Sequence, residues 1–565
     1  MTCYNSELPI GPAGPTGPQG PQGIKGDPGT SGDGGTDSTL RYFGAIGDGI
    51  TDDTVAVQEA LNSGKGVLYG EGLNYLVSAQ MIMSSNTCLQ DCNFIVASNF
   101  NNGELGKSVF LVQGTLNSGV IPTANISEGS YTIDVPSGTA FLPGDLIFIK
   151  SDTIWSTTES VKYGEIIRIE SISSNTLYLE TQTLLTYTST DNFTVSKINT
   201  KSNIQLINVS SVGTGVNTSM SFCRFEYAEN IFISNGVTYN FDYAHYFFRS
   251  CLNYLIDNVN MKKTGVYDGL NYGVLHGFGS VNGTLRNSVG SEMRHLSTIG
   301  GSQGISRFIT VIGCKAFNMA GAGIDSHSAV YEHSFINNDV IISNSSESAQ
   351  DGIISQGGKP IIKGNRILNS RRHGIFWQSL IISDFTSPII GVIESNQIDY
   401  NQSVLSTSYA ILISPVSLAT RQIDNLSIVN NVVSGEYVFS TLYIKCAGCH
   451  IDNVIISSNQ FTNNPTTYSI QIQSNNNFTT KNLSIIGNSL STSSITAYCL
   501  YVQGNVDGII ENTIISSNII NGGDYCLRLF YVDYVSLIGN MFKNFDSGYI
   551  ISSNVTNMVD IGTNP

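Results

Sequence analysis

The feature that most constrains this chain is a repeating strand end. Apolar-alternating segments close on asparagine again and again: IFISN at Asn235, YLIDN at Asn258, GTLRN at Asn287, FINN at Asn338, IIKGN at Asn365 and GVIESN at Asn396. The series continues with LSIVN at Asn430, IISSN at Asn459, SIIGN at Asn488, IISSN at Asn518 and SLIGN at Asn540, and Cys314 closes VIGC at the missing step. The eleven intervals average about 28 residues and run from 22 to 34. A unit of that length buries one strand face only against its neighbours, so the period predicts a solenoid of stacked coils. The asparagine fits a turn position where amides bond from coil to coil and the backbone turns left-handed. A parallel β-helix is predicted over residues 201–565.

Composition agrees with strands and turns. Of 565 residues 41% are hydrophobic, with 57 Gly, 27 Tyr and 25 Phe, a balance that favours sheet over helix. The 27 Lys and Arg stand against 43 Asp and Glu, a net charge of −16 that disfavours nucleic acid as a partner. No apolar run of about 18 residues and no charged-then-apolar leader is present, so neither membrane insertion nor a secretory route is expected. The ten cysteines are spread widely and read as buried thiols. The C-x-x-C-H of Cys446, Cys449 and His450 matches a haem attachment pattern, but it is short and stands without an export signal, so it is read as coincidence and no cofactor is expected.

Ahead of the solenoid the texture changes twice. Residues 11–34 carry Gly at every third position for eight triplets, the requirement of a collagen-like triple helix, so residues 1–37 are expected to form a stalk and the chain a homotrimer. Residues 38–114 follow as an opening segment, with a helix expected over about 54–62 capped by Thr51 or Asp52. From 115 to 200 come short alternating strands such as YTIDV and GEIIRIESIS, which predict a small β insertion whose acids sit in solvated turns.

The chemistry concentrates in one window. Five of the seven histidines lie between His276 and His373, and residues 286–372 hold nine Lys or Arg against six Asp or Glu, a local excess of cations suited to an anionic glycan. Asp325 and His327, two apart on a strand, project from the same face. Aligning the Gly-Ile starts at 323, 352 and 374 stacks Asp325 over Ile354 and Phe376, and His327 over Gln356 and Gln378, with Trp377 alongside. That wall reads as a sugar track to which His276, Arg372 and His373 also contribute. Glu332 and Asp351 are weaker candidates for a glycosidase carboxylate pair, and a metal held by His295, Asp325 and His327 is the other open reading of the cluster.

Two stretches carry a family resemblance. Gly47, Asp48, Gly49, Thr51, Asp52, Asp53 and Thr54, followed by Gln58 and Ala60, resemble the segment that opens the right-handed β-helix of pectate-lyase-like phage tail proteins. Arg294, His295, Thr298 and Gly300, then Val311, Gly313 and Cys314, then Asp325 and His327, then Phe335, resemble in order and spacing a pattern in β-helical phage tailspikes and appendages, some of which attack teichoic acids. The departures are Ser326 and the Ser328-Ala329 pair, which put substrate detail in doubt. The resemblance implies an all-β trimeric tailspike on the virion, joined to the tail through its N-terminus and cleaving a capsule, exopolysaccharide or teichoic acid at the host surface. Arg294, His295, Asp325 and His327 would be the catalytic set, with Asp325 orienting an imidazole, His327 or His295 moving a proton and Arg294 holding an anionic group. Hydrolysis is favoured over a lyase reaction, and a non-catalytic glycan adhesin is the alternative.

Overall fold

The computed structural model describes residues 38–564 except 157–158, 216–218, 264–269, 343–349, 380–387, 401–407, 416–421, 437, 447–448, 475–477 and 495–496; the Gly-x-y run expected to form a stalk lies outside the described residues. Among the described residues the one α-helix, α1 (Thr54–Asn62), follows the short strand Asp48–Asp52 and turns Val57, Ala60 and Leu61 into the core. Its N-cap is Asp53, in place of the expected Thr51 or Asp52. The Asp53 carboxylate reaches back instead, accepting from the Ile46 and Gly47 amides at 2.6 and 3.0 Å, while Asp52 takes the Thr54 amide at 3.0 Å.

Beyond residue 201 each coil lays down three strands, and each strand pairs in parallel with its counterpart one coil on. Three sheets therefore run the length of the stack. In the part that matters for function, the first contains Tyr272–Gly277, His295–Gly300, Ile324–Ser326, Ile353–Ser355 and His373–Trp377. The second contains Val281–Arg286, Ser306–Ile312, Val330–Ile336, Gly358–Lys363 and Ile389–Glu394. The third is narrower, with Val289–Ser291, Lys315–Phe317, Asp339–Ile341 and Arg366–Leu368. Alternate residues point inward, so Ile299, Ile309, Val311, Ile324, Phe335, Ile353, Ile362 and Ile375 form one continuous core without solvent exposure.

The repeating asparagine divides into two adjacent positions with different jobs. Asn235, Asn258, Asn287 and Asn430 sit at the outer position and take positive φ between 51° and 58°. The next residue lies inside, and there Asn338, Asn365, Asn396, Asn431, Asn459, Asn488, Asn518 and Asn540 form an unbroken ladder in which each Nδ2 donates to the following Oδ1 at 2.9–3.0 Å. Each amide also donates to a carbonyl of the preceding coil, such as Asn431 to Ile393 at 2.9 Å, so these buried polar groups are satisfied. Cys314 begins the ladder by donating its backbone N–H to Asn338 at 2.9 Å.

Between the strands Ser108–Gln113 and Lys201–Val212 the chain leaves the stack and builds a six-stranded antiparallel sheet from Thr115–Leu116, Thr132–Asp134, Leu146–Ser156, Val161–Ser173, Thr176–Leu179 and Thr194–Asn199. This insertion docks back on the coils. Lys162 N–H donates to Ser302 O at 2.9 Å, Ile305 N–H to Gly164 O at 2.8 Å, and the buried Trp155 indole to Ser328 O at 2.6 Å. Its acids are not all in solvated turns as expected: Glu165 is 2% exposed and accepts from the Leu184 and Leu185 amides.

Candidate active site

Ile324 and Ser326 point into the core, so Asp325 between them faces outward, yet it is only 4% exposed because side chains from the neighbouring coil and the insertion cover it. The register sets it beside Thr298 on one coil and Ile354 on the next. Thr298 Oγ1 donates to Asp325 Oδ2 at 3.0 Å, and His327 Nε2 lies 3.2 Å from the same oxygen. His295 Nε2 is 3.8 Å away. The His295 Nδ1 bonds Ala322 O at 2.7 Å, which assigns its proton to Nδ1 and aims Nε2 at the carboxylate. Its ring stacks on Tyr272 at 5.9 Å, and Arg294 Nη1 donates to the Tyr272 hydroxyl at 3.0 Å.

The insertion supplies the missing member. Glu159, on the turn after Leu146–Ser156, places Oε1 2.5 Å from His327 Nδ1, while its Oε2 accepts from the Ser328 amide at 2.7 Å and from the Ser328 hydroxyl. His327 is thus held between two carboxylates, one from the coil and one from the insertion. The attraction of Asp325 outweighs burial, and with the hydrogen bonds to Asp325 and Glu159 it pushes the His327 pKa up to about 10. Burial pushes Asp325 upward, but the His327 charge and its hydrogen bond outweigh that and hold the carboxyl below the ordinary range. Glu159 is lowered by the same pairing against the same opposing burial. Burial lowers His295 and keeps it neutral.

This cluster forms the floor of a cleft of about 290 Å³ between insertion and coils, walled by Glu159, Tyr243, Tyr272, Phe278 and His327. His327 is 36% exposed along its side chain and Glu159 21%, so both present polar atoms to the cleft beside aromatic rings.

Other residues singled out in the sequence are placed differently. His276 is fully buried, bonded to Tyr254 Oη at 2.8 Å inside the coil, and faces no substrate. Trp377 is also a core residue, its indole donating to Gly357 O at 3.0 Å. Arg372 is engaged through Nε at 2.9 Å and through Nη2 by the buried Asp351, which removes both from the candidate binding and carboxylate sets. His373 is 7% exposed and packs against the Tyr409 ring, tilted by 38° at 5.4 Å. Gln356 and Gln378 remain half-buried on the outer face, one and two coils beyond His327. The cation excess is largely paired across coils, as Arg286–Asp257, Arg307–Glu332, Lys359–Glu332, Lys363–Glu394 and Arg366–Asp339. Cys446 and Cys449 are core residues. Among the described residues no three His, Cys, Asp or Glu side chains are arranged to hold a metal ion.

With this geometry in place, the comparisons with known proteins bear chiefly on the architecture. The tailspike gp61 of Pseudomonas phage phi297 superposes with a TM-score of 0.57 at 13% identity, covering 85% of this chain and 80% of that one. The shared fold is a parallel β-helix. The tailspike gp49 of Pseudomonas phage LKA1 gives a TM-score of 0.49 at 15% identity over 84% of each chain. In sequence, the chain is 24% identical over 301 residues to a K1-specific capsule depolymerase of Klebsiella phage K64-1, matching 45% of this chain and spanning about a third (34%) of that protein's length. No family model matches.

Sequence reading passed over the aromatic wall of Tyr243, Tyr272 and Phe278 and, among the charged residues of the site, Glu159. It sits in a turn with no motif around it, 168 residues from its partner. Only the docking of the insertion brings the two together.

Proposed function

We propose that this chain is a phage tailspike depolymerase that holds a bacterial surface glycan in the cleft beneath the insertion and cleaves it by general acid–base chemistry at Glu159, His327 and Asp325. The observation that carries the reading is His327 clamped between two carboxylates at the floor of an aromatic-walled cleft. Such a group is a fixed positive charge at neutral pH, preorganised where negative charge develops on a reacting oxygen. Glu159, ionised and in contact with solvent, is placed to activate water, and the protonated His327 is placed to give a proton to the leaving oxygen, so both proton transfers of a hydrolysis are provided for. Neutral His295 aims Nε2 at Asp325 and positions it, and Arg294 with Tyr272 forms the side of the cleft that receives an anionic substituent. Gln356 and Gln378 extend the hydrogen-bonding wall along the coil axis. The Gly-x-y run suits a homotrimer with a stalk towards the phage tail, acting on capsule, exopolysaccharide or teichoic acid outside the host cell.

One observation favours the adhesin alternative: the His327 cluster is internally satisfied, as a purely structural ion network would be. The deciding experiment incubates the protein with envelope glycans from candidate host strains and follows fragments by mass spectrometry and the ultraviolet absorbance of an unsaturated sugar. Fragments that vanish in Asp325→Ala, His295→Ala and Glu159→Gln place the reaction here, and their absorbance separates lyase from hydrolase. Glycan retained without fragments, and unaffected by all three substitutions, leaves an adhesin.

A further inference from the structure

A second asparagine column runs along the outer edge of the second sheet. Through the register of the flanking pairs, Asn86, Asn203, Asn230, Asn253 and Asn282 occupy one position per coil, all at φ between 54° and 60°. Their amides bond from coil to coil, as Asn203 to Asn86 at 2.8 Å and Asn282 to Asn253 at 3.1 Å. The pattern resumes at Asn425, which the register places one coil after Ile390, and continues at Asn453, Asn482 and Asn512, these last bonded at 3.1 Å per step. Between these two runs the same position is held by Phe308, Glu332, Lys359 and Ile390 on four consecutive coils. The first three keep the left-handed backbone, at φ 56°, 59° and 49°, where a side chain longer than asparagine is strained. A sequence that breaks its own local rule on successive coils does so for something those side chains provide.

What they provide is a groove of about 430 Å³. One wall is this column. The other is the outward row of the same strands, Thr310, Ser334, Ile361 and Val392, which the register stacks in order. Phe308 is 44% exposed and Ile361 41%, so both present apolar surface to the groove. Between them Glu332 accepts from Arg307 Nη2 at 2.9 Å and from Lys359 Nζ at 3.2 Å, and Glu165 lies 3.9 Å from Arg307 Nη1, so two carboxylates face the two cations and spare hydrogen-bonding capacity remains. Apolar faces alternating with hydroxyls and a neutralised ion cluster complement a ring that is apolar on its faces and polar at its rim. Four coils about 4.8 Å apart give a length of about 14 Å, suited to a short run of sugar units. A face built against another copy of the chain would not be confined to four coils with the asparagine column restored on both sides.

We propose that this groove is a second saccharide-binding site, taking a neutral glycan chain along the coil axis, on a different sheet from the cleft and independent of its chemistry. The test uses the full chain with His327→Ala, which disables the cleft, against printed arrays of neutral bacterial surface polysaccharides. Retained binding to at least one polymer is expected, falling at least tenfold when Phe308→Asn is added. Phe308→Asn restores the column residue, so its melting temperature is expected to hold or rise, which separates lost binding from lost folding. The proposal is overturned if the His327→Ala chain binds no polymer, if Phe308→Asn leaves its binding unchanged, or if sedimentation shows that Phe308→Asn dissociates an assembly, which would assign the face to a second copy. Failure of the depolymerase reading shows separately, as absence of fragments from the wild-type chain.

Discussion

With Glu159 on Nδ1 and Asp325 at Nε2, His327 keeps its second proton to about pH 10. Its part in catalysis is therefore that of a cation, and the base must be sought on the carboxylate side. Glu159→Gln keeps the shape of the turn and its contact with Ser328 but removes one of the two charges that hold the imidazolium. Glycan cleavage is expected to fall about 10²–10⁴-fold, measured as fragment release, and an NMR titration of the His327 ring should show its pKa moving down. The pH dependence of stability follows from the same pair. His327 has a raised folded pKa, so its stabilisation is complete below its ordinary value of 6.5 and is lost as pH climbs to about 10. Asp325 and Glu159 are lowered, so theirs is present above the ordinary carboxylate range and is lost on acidification. The buried Glu165, raised to about 7, adds a decline that starts near its ordinary value of 4.5 and ends just above neutrality. The melting temperature should therefore fall between pH 7 and 10 in the wild-type chain and much less in His327→Gln; parallel curves would mean that the imidazole is not held in this way. Asp325 and His327 were legible in the sequence because alternation alone puts residues two apart on one face. His276 and Trp377 misled for the same reason: alternation does not say which face is the inner one.

Among the elements, the internal ladder sets how firmly each coil is tied to the next. Asn431 receives the Asn396 backbone and side-chain amides at 3.0 Å each and donates to Asn459 Oδ1 at 3.0 Å and Ile393 O at 2.9 Å. Replacing it with alanine leaves several of these groups buried and unpaired, at about 1–3 kcal/mol each before relaxation. Asn431→Ala is expected to destabilise the stack by on the order of 3 kcal/mol, read from chemical denaturation, whereas Asn540→Ala at the ladder's end, which accepts from Asn518 and donates to Ile515 O but has no onward asparagine, costs less. The period of about 28 residues made the coils legible from the strand ends alone. It could not separate the outer left-handed residue from the inner ladder residue, because asparagine suits both and the two positions are adjacent. The helix over residues 54–62 was legible to its ends, but its cap was not, since Asp53 spends its carboxylate on the preceding loop.

At the scale of the whole molecule, the coils alone do not make the His327 cleft; that site exists because a separate antiparallel sheet folds back on them. The joint combines an apolar patch, Leu146, Phe148, Ile166 and Ile198 against Leu252, with ion pairs such as Arg168–Glu229 and a buried tryptophan. Trp155 is fully buried and bonded to Ser328 O, one residue from His327, and Lys162 and Gly164 exchange backbone bonds with Ser302, Gly304 and Ile305. A solenoid is held by neighbour contacts, so loosening the insertion should leave the coils intact. Truncating a buried tryptophan typically costs about 3–5 kcal/mol, and here that loss falls on the joint. Trp155→Ala should split a single calorimetric transition in two: an early one for release of the insertion and a later one, near the wild-type temperature, for the coils. Glycan cleavage should disappear at the first transition, because Glu159 and one wall of the cleft leave with the insertion. Saccharide held in the Phe308 groove should persist to the second, because that groove is built from coil residues alone. If cleavage survives the first transition, the reaction does not depend on Glu159, and the acid–base assignment returns to Asp325, His295 and Arg294 on the coil.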